Sequence, residues 1–385
     1  MTRDELIAEI RKLLALIDAG TTDLTEETMR VPIAPYLDRA TFDREVEHLF
    51  RQRPQFVGFS SRFRNPGDYC ALEVAGVPIL VIRGEDRRIR AFLNFCRHRG
   101  AQLKSPGDGC VEKAFRCPYH GWRYSTDGTL LTVPYGEQGF PGLDKSRSGL
   151  IPLPAGERFG LVFVTPQPGG TCDIDDMFGD VGADLETWNF SDRYYVETRT
   201  YEVAANWKLN LDTFGESYHF GMVHPTTFAL KTFENILTRK SFRYANRLCH
   251  PALALREMRL KPEAEWDLSF AMSVVYYLFP STILFLVRGH METFTILPGP
   301  EPGTSINRHQ IYLLGPEPPA SAEERQQISA LFEQVTHVLN NEDYPIVQSM
   351  QRVFSGCGDQ SLLFGRNEPG LHFWHRLIDE EMAGI

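Results

Sequence analysis

The spacing of hydrophobic residues changes along the chain. In residues 4–17 apolar residues recur every three to four positions, which predicts an amphipathic helix that packs on a larger body. From about residue 35 to residue 166 the apolar runs are short and alternate with turn signals, which predicts a small all-β domain, a sandwich or barrel. These runs include 77–82 and 161–164, and the turn signals are 65–68, 106–109 and 127–128.

Longer elements are predicted after a connector rich in Pro and Gly at 166–176. Strand patterns occur at 201–203, 268–278, 282–287, 292–297 and 309–314, and helical patterns at 207–219 and 321–340. Strands joined by short turns and flanked by helices are typical of an antiparallel α+β domain. We therefore predict an N-terminal helical segment (1–34) that packs on the C-terminal domain, a small β-sandwich domain (35–166), and a larger domain (167–385) with a curved antiparallel sheet flanked by helices.

Composition and charge exclude several classes of protein. The chain is 42% apolar and 23% charged, with a net charge of −10, which argues against binding to nucleic acid or to an anionic membrane. No apolar run approaches the length that spans a membrane, and seven scattered cysteines do not form a disulfide framework, so we expect a cytoplasmic protein. Because no G-x-G-x-x-G motif or P-loop is present, a nicotinamide or flavin must act from another protein.

The densest chemical motif lies in the predicted small domain. Two short stretches, CRHRG and CPYHGW, each offer one thiolate and one imidazole: Cys96 with His98, and Cys117 with His120. A Rieske [2Fe–2S] cluster needs this mixed set, because two histidines replace two of the four cysteines on one iron. Zinc sites usually pair like ligands, C-x₂₋₄-C with H-x₃₋₅-H, so zinc is the weaker alternative.

With these motifs the chain resembles the Rieske non-haem iron oxygenases, specifically their large (alpha) subunit, the terminal oxygenase. Respiratory Rieske proteins differ in having an additional cysteine in each cluster loop and an N-terminal membrane anchor. The resemblance covers nearly the whole chain. It implies a [2Fe–2S] cluster and a mononuclear Fe(II) as cofactors, O₂ as co-substrate, a separate ferredoxin or NAD(P)H-dependent reductase as electron donor, and assembly into a homotrimer.

A second candidate metal site lies in the segment NWKLNLDTFGESYHFGMVHP, residues 206–225. Two histidines and one carboxylate on one face of the ion are the ligands of non-haem Fe(II) oxygenases. His219 and His224 are five residues apart and would point about 140° apart on one helix. We therefore predict that the helix ends between them, at Gly221 and Pro225. Taken alone, this spacing favours two structural histidines.

The resemblance supplies roles for this segment. The family pattern is N-W-K, an acid, then Asp or Glu, one residue, Tyr-His and, after four residues, His; the matching acids are Asp212 and Glu216. Both are predicted to be catalytic. Glu216, which shares a helical face with His219 in this prediction, would connect His120 of a neighbouring subunit to His219 across the trimer.

The same resemblance places the third iron ligand in a downstream carboxylate. Asp343 matches the family position and Glu342 is the alternative, because spacing does not separate them. Two acids at the start of a helix are also explained by the helix dipole. Asn340 or Asn341 is predicted to cap that helix, with Pro345 in its first turn.

Two departures from the common family pattern bear on the substrate. Glu216 stands where many relatives have Asp, and Thr213 stands where many have Asn. Because some relatives that act on quaternary ammonium compounds also carry Glu there, a quaternary or tertiary amine is the alternative substrate, oxidised by N-demethylation or C–N cleavage. The first prediction is mono- or dioxygenation of a small aromatic compound. A Rieske electron carrier without oxygenase activity is the third interpretation, and it leaves residues 216–224 without a purpose.

Among the aromatic residues, Phe214 and Phe228 are predicted to lie near the substrate. The remaining histidines are interpreted as structural or exposed: His48, His250, His290, His309, His337, His372 and His375.

Overall fold

The structure is a computed structural model that describes residues 1–268, 271–287 and 289–384. The chain forms two compact units: a small unit, Val46–Asp176, and a large unit, Met1–Glu45 with Met177–Ile385. Both boundaries lie further along the chain than the positions that the sequence suggests, 34 and 166.

The N-terminal segment belongs to the large unit. Its elements are α1 (Arg3–Ala19), β1 (Met29–Pro32) and α2 (Arg39–Glu45). The predicted first helix is confirmed, and it begins with a capping box formed by Thr2 and Glu5. Ile10 and Leu13 of α1 are fully buried, as expected for the apolar face of a packed amphipathic helix.

Three antiparallel sheets build the small unit. Its strands are β2 (Gln55–Phe59), β3 (Asp68–Val74), β4 (Val77–Arg83), β5 (Ile89–Leu93), β6 (Gly107–Cys110), β7 (Ala114–Arg116), β8 (Arg123–Ser125), β9 (Leu130–Thr132), β10 (Pro152–Leu153), β11 (Ala155–Arg158) and β12 (Leu161–Val164). The sheet orders are β10-β5-β4-β3-β6, β11-β12-β2 and β7-β8-β9. The predicted turn at 106–109 is wrong, because most of it is the edge strand β6, where Gly109 lies against the ring of Tyr69.

A seven-stranded antiparallel sheet is the centre of the large unit, as predicted. Its strands are β13 (Arg193–Val203), β14 (Thr238–Ser241), β15 (Ala245–Pro251), β16 (Met272–Leu278), β17 (Thr282–Val287), β18 (His290–Pro298) and β19 (Ser305–Leu314). Their order is β13-β19-β18-β17-β16-β15-β14, and β20 (Ser361–Phe364) pairs with β1. Ser269 and Phe270 of the predicted strand 268–278 lie outside the described residues.

Helices surround this sheet. After α3 (Gly136–Gly139) of the small unit, they are α4 (Ile174–Phe178), α5 (Gly182–Glu186), α6 (Trp207–Asp212), α7 (Phe220–Val223), α8 (Leu255–Met258), α9 (Ala322–Val338), α10 (Tyr344–Phe354) and α11 (Pro369–Ala383). Short 3₁₀ turns occupy Ala34–Tyr36, Ser60–Phe63, Lys145–Arg147, Gly179–Val181, Phe228–Leu230 and Glu263–Glu265. Helices α1 and α11 lie against β14 and β15, and α6 lies against β18 and β19. Among the described residues, no helix is both long and apolar enough to cross a membrane.

The connection between α9 and α10 has an unusual backbone. Residues Leu339–Asp343 form a π-helical turn, so the helical path continues from one helix into the next. The prediction that Asn340 or Asn341 caps a new helix is therefore wrong, although Pro345 does lie in the first turn of α10. Single π turns inside helices are frequent at functional sites.

Candidate metal centres

The two predicted cluster loops share one backbone pattern. In each loop the cysteine N–H donates to the carbonyl five residues later, and the N–H of the glycine four residues later donates to the cysteine carbonyl. These bonds measure 2.8 and 2.9 Å at Cys96 and Gly100, and 2.8 and 3.1 Å at Cys117 and Gly121. Both glycines are left-handed, with φ of 77° and 74°, a conformation that strains other residues. Each loop is therefore shaped by its own few residues.

The four candidate cluster ligands differ in exposure. The thiols of Cys96 and Cys117 are buried in the core of the small unit, and burial raises the pKa of Cys96. The rings of His98 and His120 lie nearer the surface, with centroids 4.6 Å apart. Buried sulfurs and outer imidazoles suit a Rieske cluster, in which the histidines share one iron. Coordination to iron would hold the thiols as thiolates.

Three aromatic residues surround the loops. Trp122 stacks on His98 at 5.0 Å between ring centroids, and Tyr119 lies 3.7 Å from His120. The hydroxyl of Tyr124 accepts from the N–H of Arg97 at 3.1 Å and lies 3.4 Å from the sulfur of Cys96, to which it is free to donate. Sequence spacing gave no signal for Tyr124, whose hydrogen bond would tune the cluster potential.

In the large unit, His219, His224 and Asp343 place one ligand atom each within 4.8 Å of one another. The two Nε2 atoms are 3.2 Å apart. Oδ1 of Asp343 lies 3.2 Å from Nε2 of His224 and 3.9 Å from Nε2 of His219. Two imidazole nitrogens and one carboxylate oxygen thus point at one small volume.

The opposite side of each histidine ring contacts a second carboxylate. Nδ1 of His219 lies 2.5 Å from Oε1 of Glu216, and Nδ1 of His224 lies 2.5 Å from Oε2 of Glu342. Glu342 also accepts from the hydroxyl of Thr227 at 2.8 Å. Because a carboxylate can only accept, a ring that carries its proton on Nδ1 donates it to this outer carboxylate and leaves Nε2 free for a metal ion. Such outer carboxylates orient metal-binding histidines and raise their basicity.

This arrangement fits a divalent metal ion. Two Nε2 lone pairs that face each other cannot form a hydrogen bond between them, whereas one cation satisfies both nitrogens and the Asp343 oxygen. Burial lowers the pKa of His224, but its bonds to Asp343 and Glu342 and their charges outweigh burial, so the net pKa is raised. The negative charge that favours a proton there also attracts a metal ion.

The path of the chain through this site differs from the prediction. Helix α6 ends at Asp212, so Glu216 and His219 lie in a non-helical turn and not on one helical face. After the helix the chain packs closely on α11, because a Cβ on Gly215 would lie 2.4 Å from the side chain of Leu371. The turn is closed instead by Glu216, whose Oε2 accepts from the backbone N–H of His219 at 3.2 Å and from that of Tyr218.

A helix does end between His219 and His224, as predicted, because α7 ends at Val223, but the break is not at Gly221. Gly221 lies inside α7, and His224 follows the last residue of that helix. A Cβ on Gly221 would lie 2.3 Å from the carboxylate of Glu234, so this glycine provides space and not a helix end.

The two predicted catalytic acids have different surroundings. Glu216 contacts His219 as described above. Asp212 instead accepts from Nε2 of His375 at 2.9 Å and from the hydroxyl of Tyr36 at 3.2 Å. Its contacts tie the end of α6 to α11, although it also lines a second cavity of about 350 Å³ beside His219. The geometry makes Asp212 a residue that positions the turn.

A cavity of about 660 Å³ opens beside the three candidate ligands. Phe214 and Phe228, which are predicted to lie near the substrate, line it together with four further aromatic or polar strand residues, Tyr277, Phe285, Glu292 and Phe294. His250 and His290, which the sequence led us to interpret as structural or exposed, lie in the same wall. No spacing pattern marks Glu292 or these histidines, because their strands come together only in the folded sheet.

Family comparisons agree with this geometry. The model of the ring hydroxylating alpha subunit catalytic domain matches residues 190–384, and that of the Rieske [2Fe-2S] domain matches residues 53–147. The chain belongs to the ring-hydroxylating alpha subunits, the Rieske terminal oxygenases. It is an oxidoreductase whose cofactors are a [2Fe–2S] cluster and a non-haem iron, and members of this family receive electrons from a reductase, a ferredoxin or both.

Individual relatives differ in what they oxidise. The carnitine monooxygenase oxygenase subunit of Escherichia coli (strain K12) is 28% identical over 372 residues, which are 92% of this chain and 94% of the relative. The biphenyl 2,3-dioxygenase alpha subunit of Rhodococcus jostii (strain RHA1) is 32% identical over 212 residues, 53% of this chain and 45% of the relative. A quaternary ammonium Rieske monooxygenase crystallised with L-carnitine has the same fold, with a TM-score of 0.77, 23% identity and coverage of 94% and 96%.

Proposed function

We propose that this terminal oxygenase acts on a quaternary or tertiary ammonium compound, by oxidative N-demethylation or C–N cleavage. The observation that carries the proposal is the aromatic lining of the cavity beside His219, His224 and Asp343. Its six aromatic side chains are Phe214, Phe220, Phe228, Tyr277, Phe285 and Phe294. Aromatic faces attract ammonium groups, and desolvation strengthens that attraction.

Similarity along the chain supports the same substrate class. The carnitine monooxygenase subunit matches 92% of this chain, whereas the biphenyl dioxygenase subunit matches 53%. Glu216 stands at a position where many members of the family have Asp and where some relatives that act on quaternary ammonium compounds carry Glu. The first prediction from sequence, an aromatic substrate, therefore becomes the second candidate, which the largely apolar lining and the biphenyl dioxygenase relative still favour.

The same proposal includes the ligands. Cys96, His98, Cys117 and His120 would hold the cluster, and His219, His224 and Asp343 would hold the iron. Bound iron would supply the activation of O₂. Of the two acids left open by the sequence, Asp343 faces both Nε2 atoms and Glu342 supports His224 from behind.

The chain's own residues would position these groups and exclude water. Glu216 and Glu342 keep the proton of each histidine on Nδ1, so that Nε2 stays available. Aromatic side chains line the space next to Asp343 and His219 and would limit the access of water to it.

The proposed reaction requires two electrons from another protein to reduce the second oxygen atom of O₂ to water. One oxygen atom of O₂ enters a C–H bond next to nitrogen and the other leaves as water, with two electrons and two protons from outside. The C–N bond of the resulting N–C–OH group then breaks and its electron pair stays on nitrogen, which releases an aldehyde and the dealkylated amine. The hydroxyl proton moves to solvent from a quaternary substrate and to the amine nitrogen from a tertiary one. The reductase or ferredoxin partner supplies the electrons.

We also propose that the protein is a homotrimer in which His120 of one subunit approaches Glu216 of the next. One half of this connection is a contact within the chain, the 2.5 Å distance from Glu216 to His219. A head-to-tail contact that closes after three copies gives such a ring. The cytoplasmic location and the absence of nucleic acid and membrane partners stay predictions.

The test is substrate-dependent oxygen uptake by the purified oxygenase with a reductase and NADH. We expect trimethylammonium compounds to be consumed under ¹⁸O₂, with an aldehyde and a dealkylated amine as products. Hydroxylation of biphenyl-type arenes without consumption of any ammonium compound would establish the second candidate instead. A protein that takes up no oxygen with either class would support the electron-carrier interpretation.

A further inference from the structure

Glu292 is a buried carboxylate in the wall of the substrate cavity. It lies on β18 and is 5% exposed. Its two oxygens accept from Nε2 of His290 at 2.8 Å and from Nε2 of His309 at 2.7 Å. Burial alone would raise the pKa of the Glu292 carboxyl, but the hydrogen bonds from the two histidines act in the opposite direction and its pKa is lowered. The cavity wall therefore contains a negative charge.

Pairing with His309 does not cancel that charge. The His309 ring is fully buried, stacks on Phe294 at 4.5 Å with an interplanar angle of 5°, and has no partner for Nδ1 among the described residues. A buried N–H without an acceptor is strongly disfavoured, more so than a lone pair without a donor. The ring therefore carries its single proton on Nε2, towards Glu292, and is neutral.

Two phenylalanines flank this carboxylate on the sheet. Phe285 of β17 is its direct cross-strand partner, and Phe294 is two residues along β18, on the same face. Phe294 also packs against Phe214, with 5.1 Å between ring centroids. Because Phe214 is two residues before Glu216, this group lies close to the turn that carries His219.

We propose that Glu292, Phe285 and Phe294 form the subsite that binds the positively charged nitrogen of the substrate, and this inference rests on the proposed function. A cation that enters an apolar cavity loses hydration, and a fixed carboxylate next to aromatic side chains compensates for that loss. An uncharged molecule of the same shape gains nothing from the carboxylate. Glu292 therefore favours positively charged substrates over uncharged ones. The apolar remainder of the cavity wall restricts the shape of the substrate.

The test compares two ligands that differ only in charge. Choline and its uncharged isostere, in which carbon replaces the quaternary nitrogen, are titrated into the anaerobic holoenzyme by calorimetry. We expect the wild-type protein to bind choline more tightly than the isostere. Glu292→Gln should reduce this ratio of affinities by about tenfold or more, because it removes a desolvated charge. Glu292→Asp should keep most of the preference, since the carboxylate remains.

Two further variants separate the subsite from general effects. Phe285→Leu should reduce the ratio by about threefold, through the loss of one cation–π contact. Glu333→Gln is the matched control: Glu333 is exposed on α9, pairs with Arg199 at 3.0 Å, and should leave the ratio unchanged. Melting temperature and the visible spectrum of the cluster report whether each variant is folded.

The outcomes distinguish this inference from the proposed function. A wild-type protein without preference for choline would overturn both. A wild-type preference that Glu292→Gln leaves intact would overturn the subsite alone and leave the ammonium substrate standing. Should Glu292→Gln fail to fold, Phe285→Leu decides, because an unchanged ratio in that variant would also overturn the subsite.

Discussion

In the small unit, hydrogen bonds within single loops position Cys96 and Cys117, whereas contacts between distant segments position the ligands of the large unit. Glu342 reaches His224 across more than a hundred residues of sequence, and Gly215 packs on Leu371 of α11. The cluster loops could keep their shape in many surroundings. The iron site exists only when the large unit is folded.

The histidines of the small unit are also more exposed to solvent than His224 of the large unit. His120 is exposed and His98 is partly exposed, while His224 is 1% exposed and covered by carboxylates and the aromatic cavity. An electron-exchanging cluster benefits from imidazoles near the surface. An oxygen-activating iron benefits from a dry, enclosed site in which fixed dipoles act strongly. The cluster site of the small unit is thus shaped mainly by contacts within its loops and lies near the surface. The iron site of the large unit is shaped by contacts between distant segments and is largely buried.

The largest effect should follow from breaking a cluster loop. Cys96→Ala should abolish the cluster, so that iron falls from about three per chain to about one and acid-labile sulfide disappears. Oxygenation should be lost completely while the remaining iron stays in the large unit. Iron and sulfide analysis with electron paramagnetic resonance measures this. Zinc bound at Cys96 and Cys117 in the wild-type protein would contradict the cluster assignment.

Substitutions of the two acids in the π turn, Glu342 and Asp343, should have different effects on iron binding. Asp343→Ala removes a ligand and should release the mononuclear iron and abolish activity. Glu342→Gln removes only the support of His224 and should weaken iron affinity by about 10- to 100-fold. Iron retention after dialysis against a chelator measures both, with the cluster spectrum as internal control. Full activity in Asp343→Ala combined with loss in Glu342→Ala would exchange their roles.

Glu216 is expected to lie on the electron path between the cluster of one subunit and the mononuclear iron of the next. Glu216→Gln should retain both metals and the proposed trimeric assembly but turn over about 10- to 100-fold more slowly, because it weakens the orientation of His219. Rapid mixing should show the loss in reoxidation of the reduced cluster, and sedimentation gives the oligomeric state. A fully active monomer would rule out transfer between subunits.

The smallest effects concern glycines. Gly121→Ala should cost about 1–2 kcal/mol because its φ is positive, and Pro134→Ala beside it should not relieve that cost. Gly215→Ala should destabilise through a clash, and Leu371→Ala should relieve part of it, with a coupling of about 1 kcal/mol. Chemical denaturation of the single and double variants measures both cycles. Equal coupling energies in the two double-mutant cycles would contradict the conclusion that local backbone conformation shapes the cluster loop while tertiary packing shapes the turn at Gly215.

Much of the protein was readable from sequence because the governing interactions are local. The first helix follows from apolar spacing and its Thr2 and Glu5 cap, and the cluster motif from one cysteine and one histidine per loop. The antiparallel sheet follows from apolar runs joined by short turns. In each case the sequence signal itself, such as an apolar run, a cap or a Cys and His pair, lies within a few positions.

Other features depend on contacts between distant segments, which the spacing of residues along the sequence does not predict. Glu216 lies in a turn after α6, where Gly215 packs on α11. The choice between Glu342 and Asp343 depends on a π turn that faces His224. Glu292 gains its place in the cavity wall from strand register, opposite Phe285. The sequence by itself determined which residues are available for chemistry; only the tertiary structure decided which of them face each other, because packing between distant segments sets those distances.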